Sequence, residues 1–262
     1  MVNNLAGAIA RRPIRVPEIT AYFWILKGLS TALGESASDY LVRVLTPVPA
    51  VVLDCLAFVI ALAVQFTRRR YVTWTYWFAV VMVGVFGTIA ADVLHVGLGV
   101  PYLVSTVLCG ALLAAVYLLW WRREGTLSIH AVDSARREAF YWAAVVATFA
   151  LGTSAGDLAA TTFGLGYFGS IVVFAIVILI PAMGYRWLRW NGVFSFWFAY
   201  VVTRPLGASI ADWLGKPVAE GGAGVGVELV SLVLAVAIVA LVGVVSVRGR
   251  RRESASADLS GH

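Results

Sequence analysis

The chain has 262 residues, 61% of them hydrophobic and only 13% charged, with a mean hydropathy of +0.87. Soluble domains carry roughly 25% charged residues, so a water-soluble fold would leave most of this apolar surface uncovered. A net charge of +6 does not point to nucleic acid, because the basic residues lie in short clusters between apolar runs, as membrane topology requires.

A basic arm, residues 1–17 with Arg11, Arg12 and Arg15, precedes the first apolar run. It lacks the long apolar core of a signal peptide, so no cleavage is expected. Eight runs follow, at approximately 18–42, 48–67, 72–95, 101–121, 139–162, 165–186, 193–214 and 226–247. Each has the length of about 20 residues that a helix needs to cross a bilayer. Helices are expected throughout, since an open sheet leaves backbone groups unpaired in lipid. The short alternating segments of a membrane barrel are missing from the sequence. The expected fold is therefore an all-α membrane protein with eight transmembrane helices in one domain, residues 18–247.

The loops set the orientation. Sixteen of the twenty Lys and Arg residues fall on one side of the membrane: Arg11, Arg12 and Arg15, then Arg68 to Arg70, Arg122, Arg123, Arg136 and Arg137, Arg186 and Arg189, and Arg248 with Arg250 to Arg252. The positive-inside rule then predicts that both termini are cytoplasmic. Residues 124–138 read as a polar cytoplasmic linker between two halves. Residues 248–262 read as a basic patch followed by a Ser/Ala/Asp tail, expected to be disordered.

One stretch recurs four times. Trp24 leads to Asp39, Trp77 to Asp92, Trp142 to Asp157 and Trp197 to Asp212, with Gly34, Gly87, Gly152 and Gly207 each five residues before the aspartate. Four identical spacings mark an internal repeat, with copies at about 18–67, 72–121, 139–186 and 193–247. Each copy is two helices long, so all four run through the membrane in the same direction, unlike inverted transporter repeats. The tryptophans are expected at the cytoplasmic interface, where indoles favour headgroups. The aspartates follow about 22 Å along the helix.

With its four tandem two-helix units, each marked by a tryptophan, the chain resembles a family of bacterial integral membrane proteins of unknown function. The resemblance covers about residues 18–245. It implies the architecture and a bacterial cytoplasmic membrane, and it carries no activity onto any residue.

Helical geometry places the residues at 7, 11 and 15 positions beyond each tryptophan on one stripe. In the first copy this stripe reads Lys27, Thr31, Glu35, Asp39, each one turn above the last; Thr88 lies below Asp92, Thr153 below Asp157, and Arg204 two turns below Asp212. Pro205 is expected to kink its helix. A charge facing lipid costs about 2.5–3.5 kcal/mol on insertion scales, so the first helix of each copy is expected to line the middle, where the aspartates converge. The glycines would let those helices approach closely.

Two readings stay open. In one, Asp39, Asp92, Asp157 and Asp212 form an ion-binding ring, also able to ligate a divalent metal such as Mn²⁺, since hard oxygen donors suit such ions. Glu35, Thr88 and Thr153 are then the next ligands inward, and Lys27 and Arg204 tune the charge. The protein would be a transporter or channel-like protein for a small cation, or a proton-coupled one. In the other reading the acids are structural: each caps a turn, Asp39 pairs with Arg43, Asp212 with Lys216, and Lys27 and Arg204 neutralise Glu35 and Asp212 inside a scaffold or sensor.

His95, Asp54 and Glu228 are possible accessory groups. Cys55 and Cys109 read as packing residues. No GxSxG and no HExxH spacing occurs, so neither an enzyme nor a cofactor is expected. The expected partners are the lipid bilayer and a small cation, and the sequence leaves the oligomeric state open.

Overall fold

A computed structural model describes residues 13–260, with side chains up to Gly249. Thr20 starts the first helix, its hydroxyl accepting from the Phe23 N–H. That helix, α1, spans Ala21–Leu45, and Pro47 at the first turn of α2 (Pro47–Thr67) follows almost without a loop. Helix α3 (Thr73–Asp92) runs directly into a π-helical turn, Val93–Gly97, and α4 (Tyr102–Glu124) returns. Helix α5 (Ala135–Asp157) repeats the pattern with a π-helical turn at Leu158–Thr162. The next crossing is broken into α6 (Gly166–Val177) and α7 (Leu179–Trp187); α8 (Gly192–Gly215) and α9 (Val227–Ser260) complete the chain. Among the described residues there is no strand.

Seven of these crossings are long and apolar enough to span a membrane. The remaining one, α1, has 25 residues but carries Lys27, Glu35, Asp39 and Arg43; its neighbours bury Lys27 and Glu35, while Arg43 is exposed. The molecule is a multi-pass membrane protein. Its outer helices expose Leu56 and Ile60, Leu108 and Leu112, Val172 and Ile176, and Leu232 and Val236 to the surroundings, an apolar belt suited to acyl chains.

The helices form two concentric layers. Helices α1, α3, α5 and α8 pack side by side and close into a ring, α8 returning to α1. Helices α2, α4, α6–α7 and α9 stand outside it. Of the membrane-crossing windows, 61–67% is buried in α3, α5 and α8, against 11–22% in the outer helices. Each outer helix leans mainly on the inner helix of the following copy: α2 on α3, α4 on α5, α6 on α8, and α9 back on α1. The first and last copies are thereby laced together.

The repeated residues explain the closure, and the same rule operates four times. The repeat glycine of each copy abuts position 7 of the next: Gly34 meets Gly84, Gly87 meets Phe149, Gly152 meets Arg204, and Gly207 meets Thr31. A Cβ on Gly34 would lie 2.8 Å from the Gly84 carbonyl carbon, so backbones touch where only small residues permit it. One helical face lower, the aromatic residue before each tryptophan packs on the tryptophan of the next copy. Phe23 meets Trp77 at 5.8 Å between ring centroids, Tyr76 meets Trp142 at 5.5 Å, Tyr141 meets Trp197 at 6.1 Å, and Phe196 meets Trp24 at 5.7 Å. Trp77, Trp142 and Trp197 are buried in this collar and do not sit among headgroups as expected. Their ring area is worth more inside, where four aromatic pairs close one end of the bundle.

One further expectation, for the tail, changes. The arm packs on the bundle where it is described: Val16 is buried, the Arg15 N–H donates to the Val132 carbonyl, and the Tyr71 N–H to the Ile14 carbonyl. Arg11 and Arg12 lie outside the described residues. The linker packs too: Ile129 and Val132 plug the arginine-bearing end beside Trp197, whose indole N–H donates to the Leu127 carbonyl at 2.9 Å. The tail expected to be disordered continues α9 to Ser260, with no Pro or Gly to stop it between Gly249 and Gly261. Helix α8 continues through Pro205 as one helix, and a break in the preceding crossing falls at Ile178, three residues before Pro181. Pro181 clashes with the carbonyl one turn back and cannot donate to it. The bend leaves a groove of about 1000 Å³ between α1, α7, α8 and the linker, bordered by Trp24, Gly28, Pro181 and Phe196.

Candidate functional site on the axis of the inner ring

Each inner helix brings one side chain to a common point. Arg204 of α8 is fully buried. Its guanidinium donates to the Thr31 carbonyl of α1 at 2.9 Å, to Glu35 Oε2 at 2.9 Å, to Thr153 Oγ1 of α5 at 2.8 Å, and to Thr88 Oγ1 of α3. The Thr88 and Thr153 hydroxyls in turn reach Glu35 Oε2 at 3.2 and 3.3 Å. Glu35, Thr88 and Thr153 occupy the same position of their copies, and the fourth copy has Ala208 there. That small residue, with Gly152 opposite, makes room for the arginine.

The expected inward ligands Glu35, Thr88 and Thr153 thus do come together, but around a guanidinium. Arg204 neutralises Glu35, not Asp212 as the structural reading had it. A buried pair of this kind is held by its hydrogen bonds as much as by charge.

One to two turns below, Lys27 is 1% exposed and its Nζ has no hydrogen-bond partner among the described residues. It lies over the rings of Phe149 and Tyr200, 4.0 Å from each centroid. Lys27 therefore neutralises neither Glu35 nor Asp212. Further toward the arginine-bearing end, the phenols of Tyr76 and Tyr141 hydrogen-bond each other.

The four aspartates lie above the ion pair, at the other end of the ring. Asp92, Asp157 and Asp212 each feel the charges of Glu35, Asp39 and Lys216, so the carboxylates gather around one mouth. They are not equivalent. Lys216 Nζ contacts Asp39 Oδ2 at 2.5 Å and stands 3.9 Å from Asp212 Oδ1. Burial acts to lower the Lys216 pKa, but the carboxylates of Asp39 and Asp212 outweigh it and hold the ammonium above its usual range. Asp92 and Asp157 remain half-buried and, among the described residues, have no ion-pair partner. Both end their α-helix directly before a π-helical turn, in which the Leu98 N–H reaches the Val93 carbonyl and the Phe163 N–H the Leu158 carbonyl. Such turns are frequent at functional sites.

The expectation of Asp39, Asp92, Asp157 and Asp212 as joint metal ligands is not met by this geometry. Among the described residues no three His, Cys, Asp or Glu side chains come close enough to hold one ion. The acids stand on four different helices, and Lys216 supplies a cation between two of them.

The accessory candidates lie apart. His95 Nδ1 is 2.7 Å from the Val100 carbonyl, and its ring stacks on Tyr102, closing the turn after α3. Glu228 pairs at the surface with Arg43 at 2.7 Å, which takes Arg43 away from Asp39. Asp54 is buried on α2, with one oxygen lacking a partner. Cys55 and Cys109 are free thiols.

Sequence reasoning missed one further buried carboxylate. Glu138, at the start of α5, is fully buried and takes Arg15 at 2.7 Å, Gln65 Nε2 at 2.9 Å and the Trp142 indole N–H at 3.5 Å. The signal was available: Glu138 stands one turn before Trp142, on the face the tryptophan turns inward.

The fold defines a class: a multi-pass helical membrane protein built from tandem two-helix repeats around a closed inner ring. More narrowly, the chain belongs to the family described as Repeat of Unknown Function (DUF347), which matches residues 75–126, 140–189 and 195–251. These segments cover the second, third and fourth copies. The first copy, α1–α2, lies outside the match, although Gly34 and Phe23 obey the same contact rule. No curated protein and no solved structure matches the chain.

Proposed function

We propose that this protein transports a small cation along the axis of its inner ring. The carrying observation is the pair Asp92 and Asp157: two carboxylates at one mouth, screened from lipid by the outer helices, with no basic partner among the described residues. Intramembrane acids so placed mark ion pathways more often than packing contacts. The mouth attracts a cation by charge, and the cation keeps part of its water because the acids do not close into a ligand shell. Below it, the Glu35–Arg204 pair with Thr88 and Thr153 acts as a closed gate, its carboxylate being the next stop once Arg204 swings aside. The arginine clusters favour a topology with both termini in the cytoplasm and the acidic mouth outside, and the resemblance to bacterial proteins favours their inner membrane. No nucleophile or cofactor motif favours an enzyme.

The second reading, a non-transporting scaffold, is favoured by the Glu35–Arg204 and Asp39–Lys216 pairs, which neutralise two of the acids internally. Purified protein in proteoliposomes decides between them, with Mn²⁺ and K⁺ as probe ions. Transport predicts uptake above empty vesicles that is lost in Asp92→Asn/Asp157→Asn at unchanged thermal stability. Uptake that survives both substitutions overturns the assigned pathway. A wild type that moves neither ion, with variants that only lose stability, leaves the scaffold.

A further inference from the structure

Lys27 is placed where its charge has two aromatic faces but no acid to rest on. Its Nζ lacks a hydrogen-bond partner among the described residues and touches two aromatic faces. The charge it feels is that of another cation, Arg204, whose Cζ stands 4.9 Å from the centroid of the same Phe149 ring. Arginine keeps its proton in proteins, whereas a buried lysine gives it up readily. Arg204 is already matched by Glu35. The middle of the ring therefore holds one permanent cation, one carboxylate, and one amine left over. A second full charge there would be buried without a counter-ion.

The surrounding elements offer no other compensation. On α1 itself, Thr31 follows one turn on and Glu35 two. Helix α3 presents Tyr76 and α5 presents Tyr141, hydrogen-bonded to each other; α8 presents Tyr200 and Arg204. Outside α1, Asp54 of α2 makes no ion pair among the described residues, and Arg248 of α9 lies over Tyr22.

We propose that Lys27 is the proton site of the transporter, a neutral amine while Glu35 holds Arg204 and an ammonium once that pair parts. This rests on the transport reading above. In the parted state Asp157, which already feels the Arg204 charge, takes the guanidinium. Glu35 is then free for one positive partner. It can offset a proton arriving on Lys27 or hold a small cation from the mouth, but not both. Proton and cation exclude each other by charge, which is the requirement for exchange: the amine gains H⁺ as the carboxylate releases its cation, and the reverse.

The chain has two lysines, Lys27 and Lys216, so ¹⁵N labelling at Nζ gives two signals, assigned in the full-length protein by Lys27→Met and Lys216→Met in lipid nanodiscs. The expected Lys27 signal is that of a neutral amine at about pH 8, converting to ammonium on acidification to about pH 5, within the range documented for buried lysines. Glu35→Gln should move that conversion to more acidic pH by about one unit or more. An ammonium signal for Lys27 across the whole range, or an amine that never converts, overturns the proposal. In proteoliposomes, Lys27→Met and Lys27→Arg should both reduce Mn²⁺ or K⁺ uptake driven by a pH gradient to background. A titrating Lys27 in a protein that moves neither ion sinks the transport reading alone. Intact pH-driven uptake in Lys27→Met sinks the proton site alone.

Discussion

Gly152 on α5 lies directly against the stem of Arg204 on α8, so closely that a Cβ on the glycine would overlap Arg204 Cγ and approach Pro205 Cδ to 3.1 Å. The central ion pair therefore depends on a hydrogen atom in place of a methyl group. Gly152→Ala should push Arg204 off Glu35 and cost about 1–3 kcal/mol, the usual penalty for overpacking. Gly28→Ala is the control. It adds the same methyl group to α1 where nothing lies within 4 Å, and it should stabilise by about 0.5–1 kcal/mol through backbone entropy. Thermal unfolding of both variants in detergent checks the contrast.

The pair itself should behave as a unit. Removing one partner strands the other without a counter-charge, so Glu35→Gln and Arg204→Met should each cost about 3–5 kcal/mol. The double variant Glu35→Gln/Arg204→Met should cost less than the sum of the two, because neither charge is left behind. A double-mutant cycle on unfolding free energies reads the coupling. Additive losses would mean that Arg204 draws its support from the Thr31 carbonyl and the threonines, not from Glu35.

How much of this was legible beforehand depends on whether a residue acts within its own copy or on the next. The Trp-to-Asp spacing, the glycines and the stripe Lys27–Thr31–Glu35–Asp39 follow from helical periodicity, and the helices stand where that periodicity puts them. The partners did not follow. Arg204 sits two turns from Asp212 on its own helix, yet it crosses to Glu35, 169 residues earlier in the chain. Lys216 reaches past Asp212 to Asp39, 177 residues away. Both contacts exist only because the ring closes between the last copy and the first, and a closed ring cannot be read from a linear repeat. The tryptophans were misplaced for the same reason. An isolated helix offers an indole only the membrane interface, whereas a ring also offers the neighbouring copy.

Closure has its own test. Gly207 meets Thr31 and Ala32 across the seam between the fourth and first copies, and Gly34 meets the Gly84 backbone between the first and second. Neither neighbour can swing away, since Gly34 meets the Gly84 backbone and Gly152 meets Arg204 Cβ, which no rotamer moves, so Gly34→Ala should destabilise by an amount comparable to Gly152→Ala. Gly207→Ala should loosen the seam and free α9, which bridges α1 and α8. Hydrogen exchange should rise in α1, α8 and α9 together for Gly207→Ala while α4 and α5 keep their protection. Uniform loss across all helices would mean that the four copies unfold as one and that the seam is no weaker than any other contact.

At the other end of the ring, Glu138 should tie the described part of the N-terminal arm to the bundle. Glu138→Ala leaves Arg15 and Gln65 without their acceptor, and about 3–5 kcal/mol is the expected loss for breaking a buried pair. Arg136→Ala removes a cation that is 75% exposed and 3.6 Å from Glu124, where about 0–1 kcal/mol is usual. Limited proteolysis near residues 13–17 should accelerate for Glu138→Ala and stay unchanged for Arg136→Ala.

Lys216 sets the pH dependence of the acidic mouth. The ammonium of Lys216 is held above its ordinary value of 10.5 by Asp39 and Asp212 against the opposing effect of burial. A lysine whose pKa is raised by folding stabilises fully below its unfolded value, and that stabilisation disappears as pH rises through the folded value. Wild type should therefore exceed Lys216→Met in melting temperature by a constant margin from about pH 7 to about pH 10, and the margin should shrink only above that. A margin already falling between about pH 7 and about pH 9 would mean that burial dominates and that the ammonium is lost early. In that case Asp39 would join Asp92 and Asp157 as an acid without a partner, and the mouth would carry one more negative charge for an incoming cation to meet.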